Sequence, residues 1–419
     1  MRLLISLAAL LLSVLLLQLS SGGVGPLDAL SGLELGFSRA EIGLLGSAHF
    51  AGFFVGCWWA PRLMGSVGHS RTFAAFAAAG AIGLLAHPMW QTPLAWTLLR
   101  LATGLCVAGC YTVIESWLQA RADNANRGRV MANYRVVDLV AAIGAQLMIG
   151  VLEPASYVSY NILAILCCAA LFPITLSTMP QPHTPSAPRL RPLLAVRMSP
   201  LAAAAVIVAA VSSASFRMVG PIYGQEVGLE PAQIAWFLAA WVLGGALAQI
   251  PVGWLADRFD RRHVLVALSV AAIASCLATV TLGAAGNVAI FANALVFGIT
   301  TFPVYSVAAA HAHDFARSSE RVELSAALMF FFAVGAIGAP LFASSLIEAF
   351  GPSALFGMIA AAHAVLLVFS IARMRVGRIK VRRTPYVYTP RTSFTIGRLL
   401  RKSRDNRPPP APTRDRQEP

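Results

Sequence analysis

Ala142-Ile143-Gly144-Ala145-Gln146-Leu147 returns as Ala336-Ile337-Gly338-Ala339-Pro340-Leu341, a shift of 194 positions. Val24-Gly25-Pro26 returns as Val219-Gly220-Pro221, shifted by 195. Gly36, Ile42 and Arg129-Val130 return as Gly228, Ile234 and Arg321-Val322, each shifted by 192. Several matches in one order at nearly one offset mark two structurally equivalent halves. The sequence around them is apolar, so the repeating unit is a set of membrane-crossing helices. Paired halves in a lipid-embedded chain place a substrate site between them.

Composition leads to the same class independently. The 419 residues are 57% hydrophobic and 12% charged, with a mean hydropathy of +0.69. Soluble domains carry about 25% charged residues. A bilayer crossing needs about 20 apolar residues in helical form. Such runs are predicted at 3–30, 40–64, 71–90, 93–119, 128–152 and 157–179 in the first half. In the second half they fall at 199–223, 231–256, 262–285, 287–313, 321–349 and 352–373. The expected fold is all-α and integral to the membrane, with twelve transmembrane helices in two six-helix halves. The first half takes residues 1–179 and the second 199–373, and a cytoplasmic linker at 180–198 joins them. Pro182, Pro185, Pro188 and Pro192 should keep that linker extended.

The first run has a rival explanation. Met1-Arg2, an apolar stretch to Leu19 and then Ser20-Ser21-Gly22-Gly23 also fit a cleavable signal peptide. Its counterpart, Leu201 to Gly220, is internal, which favours retention as a first helix.

Arginines crowd alternate loops: Arg62 and Arg71; Arg121, Arg127 and Arg129; Arg189, Arg191 and Arg197; Arg258, Arg261 and Arg262; Arg317 and Arg321. The other loops hold Glu34, Glu41, Glu153, Glu226 and Glu230, with Arg39 the exception. By the positive-inside rule both termini face the cytoplasm, which an even number of crossings also requires. The net charge of +14 is concentrated at one end. From Arg373 onward there are 14 Lys and Arg against Asp405, Asp415 and Glu418, a net +11. This basic, Pro-rich tail at 374–419 is too poor in apolar residues to pack, so it is expected to be disordered and to touch anionic lipid headgroups. No aromatic interleaving points to nucleic acid. The six cysteines all fall in predicted spans and act as small apolar residues; neither a metal site nor a cofactor is expected.

Gly253-Trp254-Leu255-Ala256-Asp257-Arg258-Phe259-Asp260-Arg261-Arg262 lies in the tight loop between spans eight and nine. It resembles the loop motif of the major facilitator superfamily, Gly-x-Leu-x-Asp-Arg-x-Gly-Arg-Arg. Asp260 stands where the family has Gly, at a position expected to need positive φ, which Asp tolerates. The first-half copy, Pro61 to Arg71, keeps Leu63, Gly68 and Arg71 but has Gly65 in place of the aspartate. Arg100-Leu101-Ala102-Thr103-Gly104 is similar to the family's Arg-x-x-x-Gly pattern in span four. Val113-Ile114-Glu115-Ser116-Trp117 followed by Asn126-Arg127-Gly128-Arg129 resembles a poorly characterised bacterial branch of the superfamily. The antiporter motif ending in Gly-Pro is absent; Ile143-Gly144-Ala145-Gln146 stands nearest.

The resemblance implies a monomeric secondary transporter, not an enzyme, that moves a small solute through the cell inner membrane by alternating access. The coupling ion would be a proton or another ion. Drug or toxic-compound efflux by antiport and a non-transporting sensor or scaffold remain as alternatives. No Walker A loop is present, so ATP is not the driver. The resemblance also places spans one, four, seven and ten around the central path and brings the second-half loop toward span five. That predicts a cytoplasmic latch in which Asp257 meets the positive start of span five, reinforced by Arg127 and Arg129. Gly253, Arg258, Arg261 and Arg262 complete this gate motif. A simpler role, anchoring and orienting the loop, stays open.

Charges inside spans are costly and usually face a cavity or a partner. Arg100 lies ~10 Å into span four, where it either contacts substrate or pairs with Asp28 at the same depth. Glu115 lies near the cytoplasmic end of span four, where it contributes to the pathway or caps the helix. Asp138 is near mid-depth in span five. Arg217, in span seven, is the best candidate for a substrate contact and favours a carboxylate or phosphate. Asp138, Glu115, His49 and His311 are candidates for carrying a proton. His311 and His313 are expected at a solvated helix end beside Asp314 rather than in a metal site.

Overall fold

A computed structural model describes residues 2–121, 127–176, 189–282, 286–374 and Tyr386. The expected disordered tail, Met374 and Tyr386 apart, and residues 180–188 of the linker lie outside these residues. The described chain is helical throughout: α1 (Arg2–Glu34), α2 (Arg39–Val67), α3 (His69–Ala86), α4 (Pro93–Arg121), α5 (Arg127–Met148), α6 (Tyr157–Ala169) and α7 (Leu171–Thr175). After α8 (Pro192–Met198) come α9 (Pro200–Glu226), α10 (Pro231–Arg258), α11 (Arg261–Leu282), α12 (Asn287–Thr301), α13 (Pro303–Phe315), α14 (Arg321–Phe350) and α15 (Ala354–Met374). Among the described residues, eleven helical stretches are long and apolar enough to cross a bilayer. The twelfth crossing is α5, 22 residues long, which carries Arg129, Arg135 and Asp138 and is therefore less apolar.

Two predicted spans are interrupted, and proline accounts for both breaks. Pro173 has no N–H for the carbonyl of Ala169, where α6 ends. Pro303 likewise ends α12 and restarts the span as α13. The linker is not extended throughout: Pro192–Met198 forms a short helix, with Pro192 in the first turn, where its missing N–H costs nothing.

The repeat holds at atomic detail. Gly36 and Gly228 both adopt positive φ, +78° and +84°, and close α1 and α9 with the same pair of backbone bonds. Phe37 N–H donates to the Gly32 carbonyl at 2.8 Å and Leu229 N–H to that of Gly224 at 2.9 Å. A capping box opens the next helix in each half, Ser38 with Glu41 and Glu230 with Gln233. Helix pairing repeats as well: α1 packs on α5 as α9 does on α14, α2 on α4 as α10 on α12, and α3 on α6 as α11 on α15.

The α2–α4 crossing is a backbone contact. A Cβ at Gly52 would overlap the Leu101 carbonyl, and one at Gly104 would overlap that of His49. Gly244 against Leu295 and Gly298 against Trp241 repeat this in α10 and α12. Gly52→Leu should therefore lower the melting temperature in detergent, at a cost of about 3 kcal/mol or more. Gly357→Ala, with nothing within 4 Å of the added carbon, should leave it unchanged. Equal behaviour of the two variants would refute the close-approach account.

One correction concerns the loop. Among the described non-glycine residues only Ala155 has positive φ, so Asp260 does not use the left-handed turn. Its first-half counterpart, Gly68, does, at +87°. Asp260 caps α11 instead: its carbonyl accepts from His263 and Val264, and its carboxylate accepts from the Arg262 N–H at 3.0 Å.

The halves meet along two matching pairs, α2 with α14 and α5 with α10, and through α1 with α9. They are pinned at the arginine-poor end. Arg39 pairs with Glu226, and the Ala40 N–H donates to Glu348 at 3.3 Å. A Cβ on Gly43 would meet Ser344 Oγ at 2.6 Å, and one on Gly150 would meet Ala232 Cα at 3.1 Å.

Candidate functional site

Between the halves lies a cavity of about 160 Å³. Its wall draws on α1, α4, α9 and the α12–α13 span, the four expected around a central path, and also on α2 and α14. Arg100 and Arg217 both reach it, beside His49, Gln18 and Ser213. Phe50, Phe53, Phe54, Phe302, Tyr305 and Phe332 supply an aromatic face. No carboxylate is among the described residues of this wall, so two guanidinium groups set its charge.

Arg217 is half-buried on α9, its guanidinium 5.8 Å from the centroid of the Trp241 ring. That stacking holds a long, planar side chain in place at the cavity wall. Arg100 is held differently. Its Nε lies 3.2 Å from Asp28 Oδ2, and its Nη2 extends to 3.9 Å from Met218 Sδ in the other half. Asp28 is fully buried and accepts from the Tyr160 hydroxyl at 2.8 Å. His87 Nε2 stands 3.7 Å from the same carboxylate, while its Nδ1 is 2.7 Å from the Gly83 carbonyl. Trp96 donates to the His87 carbonyl at 2.9 Å, and the His87 ring stacks on Tyr160. Arg100 thus pairs with Asp28 and faces the cavity at once.

Sequence reasoning did not find His87, Trp96 or Tyr160. Only His87, a lone polar residue in Leu84-Leu85-Ala86-His87-Pro88, gave any signal; α1, α3, α4 and α6 bring the group together in space.

Glu115 and Asp138 are buried outside the cavity wall. Glu115 accepts from the Tyr134 hydroxyl at 3.3 Å, between α4 and α5. His311 and His313 are buried rather than solvated, contrary to expectation. His313 Nε2 lies 3.1 Å from Ser325 Oγ, and His311 packs on Phe315, because α13 turns this face against α14 and its own last turn.

The loop motif is an organised knot at the arginine-rich end. Arg261, buried, donates to the Ala256 and Ala310 carbonyls, to Asp314 at 2.7 Å and to Asp257 at 3.1 Å. It ties α10, α11 and α13 together, and His69, 192 positions earlier, takes its place in the first half beside Ser116. Arg258 covers the Trp254 ring at 5.3 Å. Partial burial pushes the Asp260 carboxyl up, but hydrogen bonds and charge from Arg262 outweigh it and hold the group at about 2. Asp257 also accepts from the Tyr386 N–H at 2.8 Å. Arg129 is exposed at the start of α5; the Arg127 side chain lies outside the described residues.

Similarity to known proteins agrees with this architecture. The family model described as Major Facilitator Superfamily matches residues 201–404. An uncharacterized MFS-type transporter of Enterobacter sp. (strain 638) is 26% identical over 339 residues, 80% of this chain and 86% of the relative. The uncharacterized MFS-type transporter YcaD of Salmonella heidelberg (strain SL476) is 27% identical over 371 residues, 86% and 93% of the two chains. Among solved structures, a mutant of the nucleoside transporter NupG superposes with a TM-score of 0.72 at 17% identity, over 88% of this chain and 99% of that one. A bacterial homolog of the human lysosomal transporter Spinster, inward-facing and unoccupied, gives 0.68 at 16% identity, over 97% and 98%. The two structures speak for the fold alone. With a duplicated twelve-helix bundle around a central cavity, the chain is a multi-pass membrane protein whose second half matches the Major Facilitator Superfamily model and which is similar along most of its length to uncharacterized MFS-type transporters.

Proposed function

We propose that this protein is a secondary active transporter, not an enzyme, that carries a small organic anion across the bacterial inner membrane by alternating access. The observation that carries the reading is the cavity itself: Arg100 and Arg217 in its wall, with no carboxylate among the described residues there. A guanidinium binds carboxylate or phosphate through two parallel hydrogen bonds, and a desolvated wall strengthens that attraction. Coupling to protons is the companion proposal, with the buried carboxylates Asp138 and Glu115 as carriers. The aromatic face favours a second reading, efflux of amphipathic toxic compounds.

By the positive-inside rule the arginine-rich end is cytoplasmic, and so are both termini. The pinned end is then external, and the conformation faces inward. When the cytoplasmic end closes, Asp257 meets the positive start of α5 beside Arg127 and Arg129. Asp257→Asn should slow exchange severalfold; unchanged exchange would reduce the loop to an anchor.

The main test starts from a thermal-shift screen of the purified protein against organic anions, cations and neutral solutes of matching size. Counterflow of the stabilising compound in proteoliposomes follows. Anions alone should stabilise and exchange. Stabilisation and exchange of cations only would overturn the anion reading and favour efflux. Counterflow by none would end the transporter reading.

A further inference from the structure

Tyr386 is the one described residue beyond the end of α15, and it is built into the helix bundle. Its backbone N–H donates to Asp257 at 2.8 Å, and its hydroxyl donates to Gln249 Oε1 at 2.7 Å. The two contacts lie eight residues apart, about two turns along one face of α10. Between them the ring rests on Gly253, where an added Cβ would meet Tyr386 Cδ1 at 2.8 Å. Gly253 therefore forms the floor of a seat that a larger residue would fill. Tyr386 joins the apolar cluster that includes Val252, Ala256, Val307 and Ala308. Burial pushes its phenol up to about 12, opposed by a hydrogen bond with Ser306 of α13 and by the charge of Arg135 on α5.

Arg135 belongs to the opposite half, so the ring stands where α10 and α13 face α5. The two ends of the α5–α10 pair differ accordingly. At the arginine-poor end Gly150 and Ala232 are in close contact. At the arginine-rich end Tyr386 holds Asp257, the residue that would meet α5 on closure.

We infer that the groove formed by Gln249, Gly253 and Asp257 on α10 with Ser306 on α13 is a docking site for the tail's own Tyr386, and that its occupancy holds the arginine-rich end of the bundle open. The tail acts as a wedge. It uses the Asp257 carboxylate and the α10 surface that closure needs, so closing must first release it. This rests on the rocking motion proposed above. Release gives up a hydrogen bond to a charged acceptor and a half-buried ring, enough to shift the open-to-closed ratio about tenfold.

Spin labels at two exposed sites, Ala132 on α5 and Leu255 on α10, report the separation at this end in full-length protein with the six cysteines replaced. Closure is driven from the far end by Gly43→Trp. No side chain fits there between α2 and α14, so the indole must part them. With Tyr386 present the wedge variant should populate a shorter label distance only slightly. Adding Tyr386→Ala should raise that population about tenfold, and Tyr386→Phe, which keeps the ring and the backbone donor, should fall between. A short-distance population that grows equally with and without Tyr386 would overturn the tail's role and leave rocking intact. A distance that Gly43→Trp moves in neither background would overturn rocking, and the wedge with it.

Discussion

Arg217→Gln should reduce exchange of the transported anion by at least about a hundredfold while leaving the melting temperature within a few degrees of the parent. The large functional effect follows from removing a charge-assisted, bidentate contact, where an unpaired anion in a water-poor cavity costs about 3 kcal/mol or more. The small structural effect follows from position. Arg217 is half-buried at the cavity wall and stacks on Trp241 from one side, so a shorter amide leaves the α9 packing in place. Arg217→Lys keeps the charge but not the planar fork, and its exchange rate should be intermediate. Counterflow in proteoliposomes gives the rate, and unfolding in detergent gives the stability. Unchanged exchange by the Gln variant would remove Arg217 from the pathway.

Arg100→Ala should show the opposite balance, with stability lost first. Asp28 is fully buried, and without Arg100 its carboxylate keeps only the Tyr160 hydroxyl and the His87 ring nearby. Breaking a buried pair from one side costs about 3–5 kcal/mol, because the remaining charge has neither water nor counter-ion. The melting temperature should fall by more than about 5 °C. Asp28→Asn together with Arg100→Gln removes both charges and should recover most of that loss. Exchange should stay low in the double variant, since Arg100 also faces the cavity. A double variant no more stable than Arg100→Ala would show that the pair is not what Arg100 stabilises.

The contrast between these arginines explains how much of the site was legible. Both were visible as charges in apolar runs. Asp28 could be matched to Arg100 by depth along neighbouring helices, a one-dimensional comparison. The stacking of Arg217 on Trp241 and the enclosure of Asp28 by Tyr160 and His87 could not, because rotation of each helix about its axis decides them. His311 and His313 were misplaced for that reason: their position at a helix end was legible, but not the burial of that end against α14. Asp260 erred differently. A turn there can be met by positive φ or by an aspartate cap, and the neighbouring Arg262 selected the cap.

The sequence by itself determined the membrane class, the twelve crossings, the duplication and the motif loop. Apolar length, charge spacing and internal offset are local properties that survive without coordinates. Even the paired caps after Gly36 and Gly228 follow from local chemistry. Only the tertiary structure decided which glycines bring backbones into contact, which end of the bundle is pinned, and which charged groups share the cavity. Tyr386 belongs with these: 129 positions separate it from Asp257, and no periodicity connects them. Contacts of this kind depend on relative helix rotation and tilt, which the summed packing of many side chains fixes.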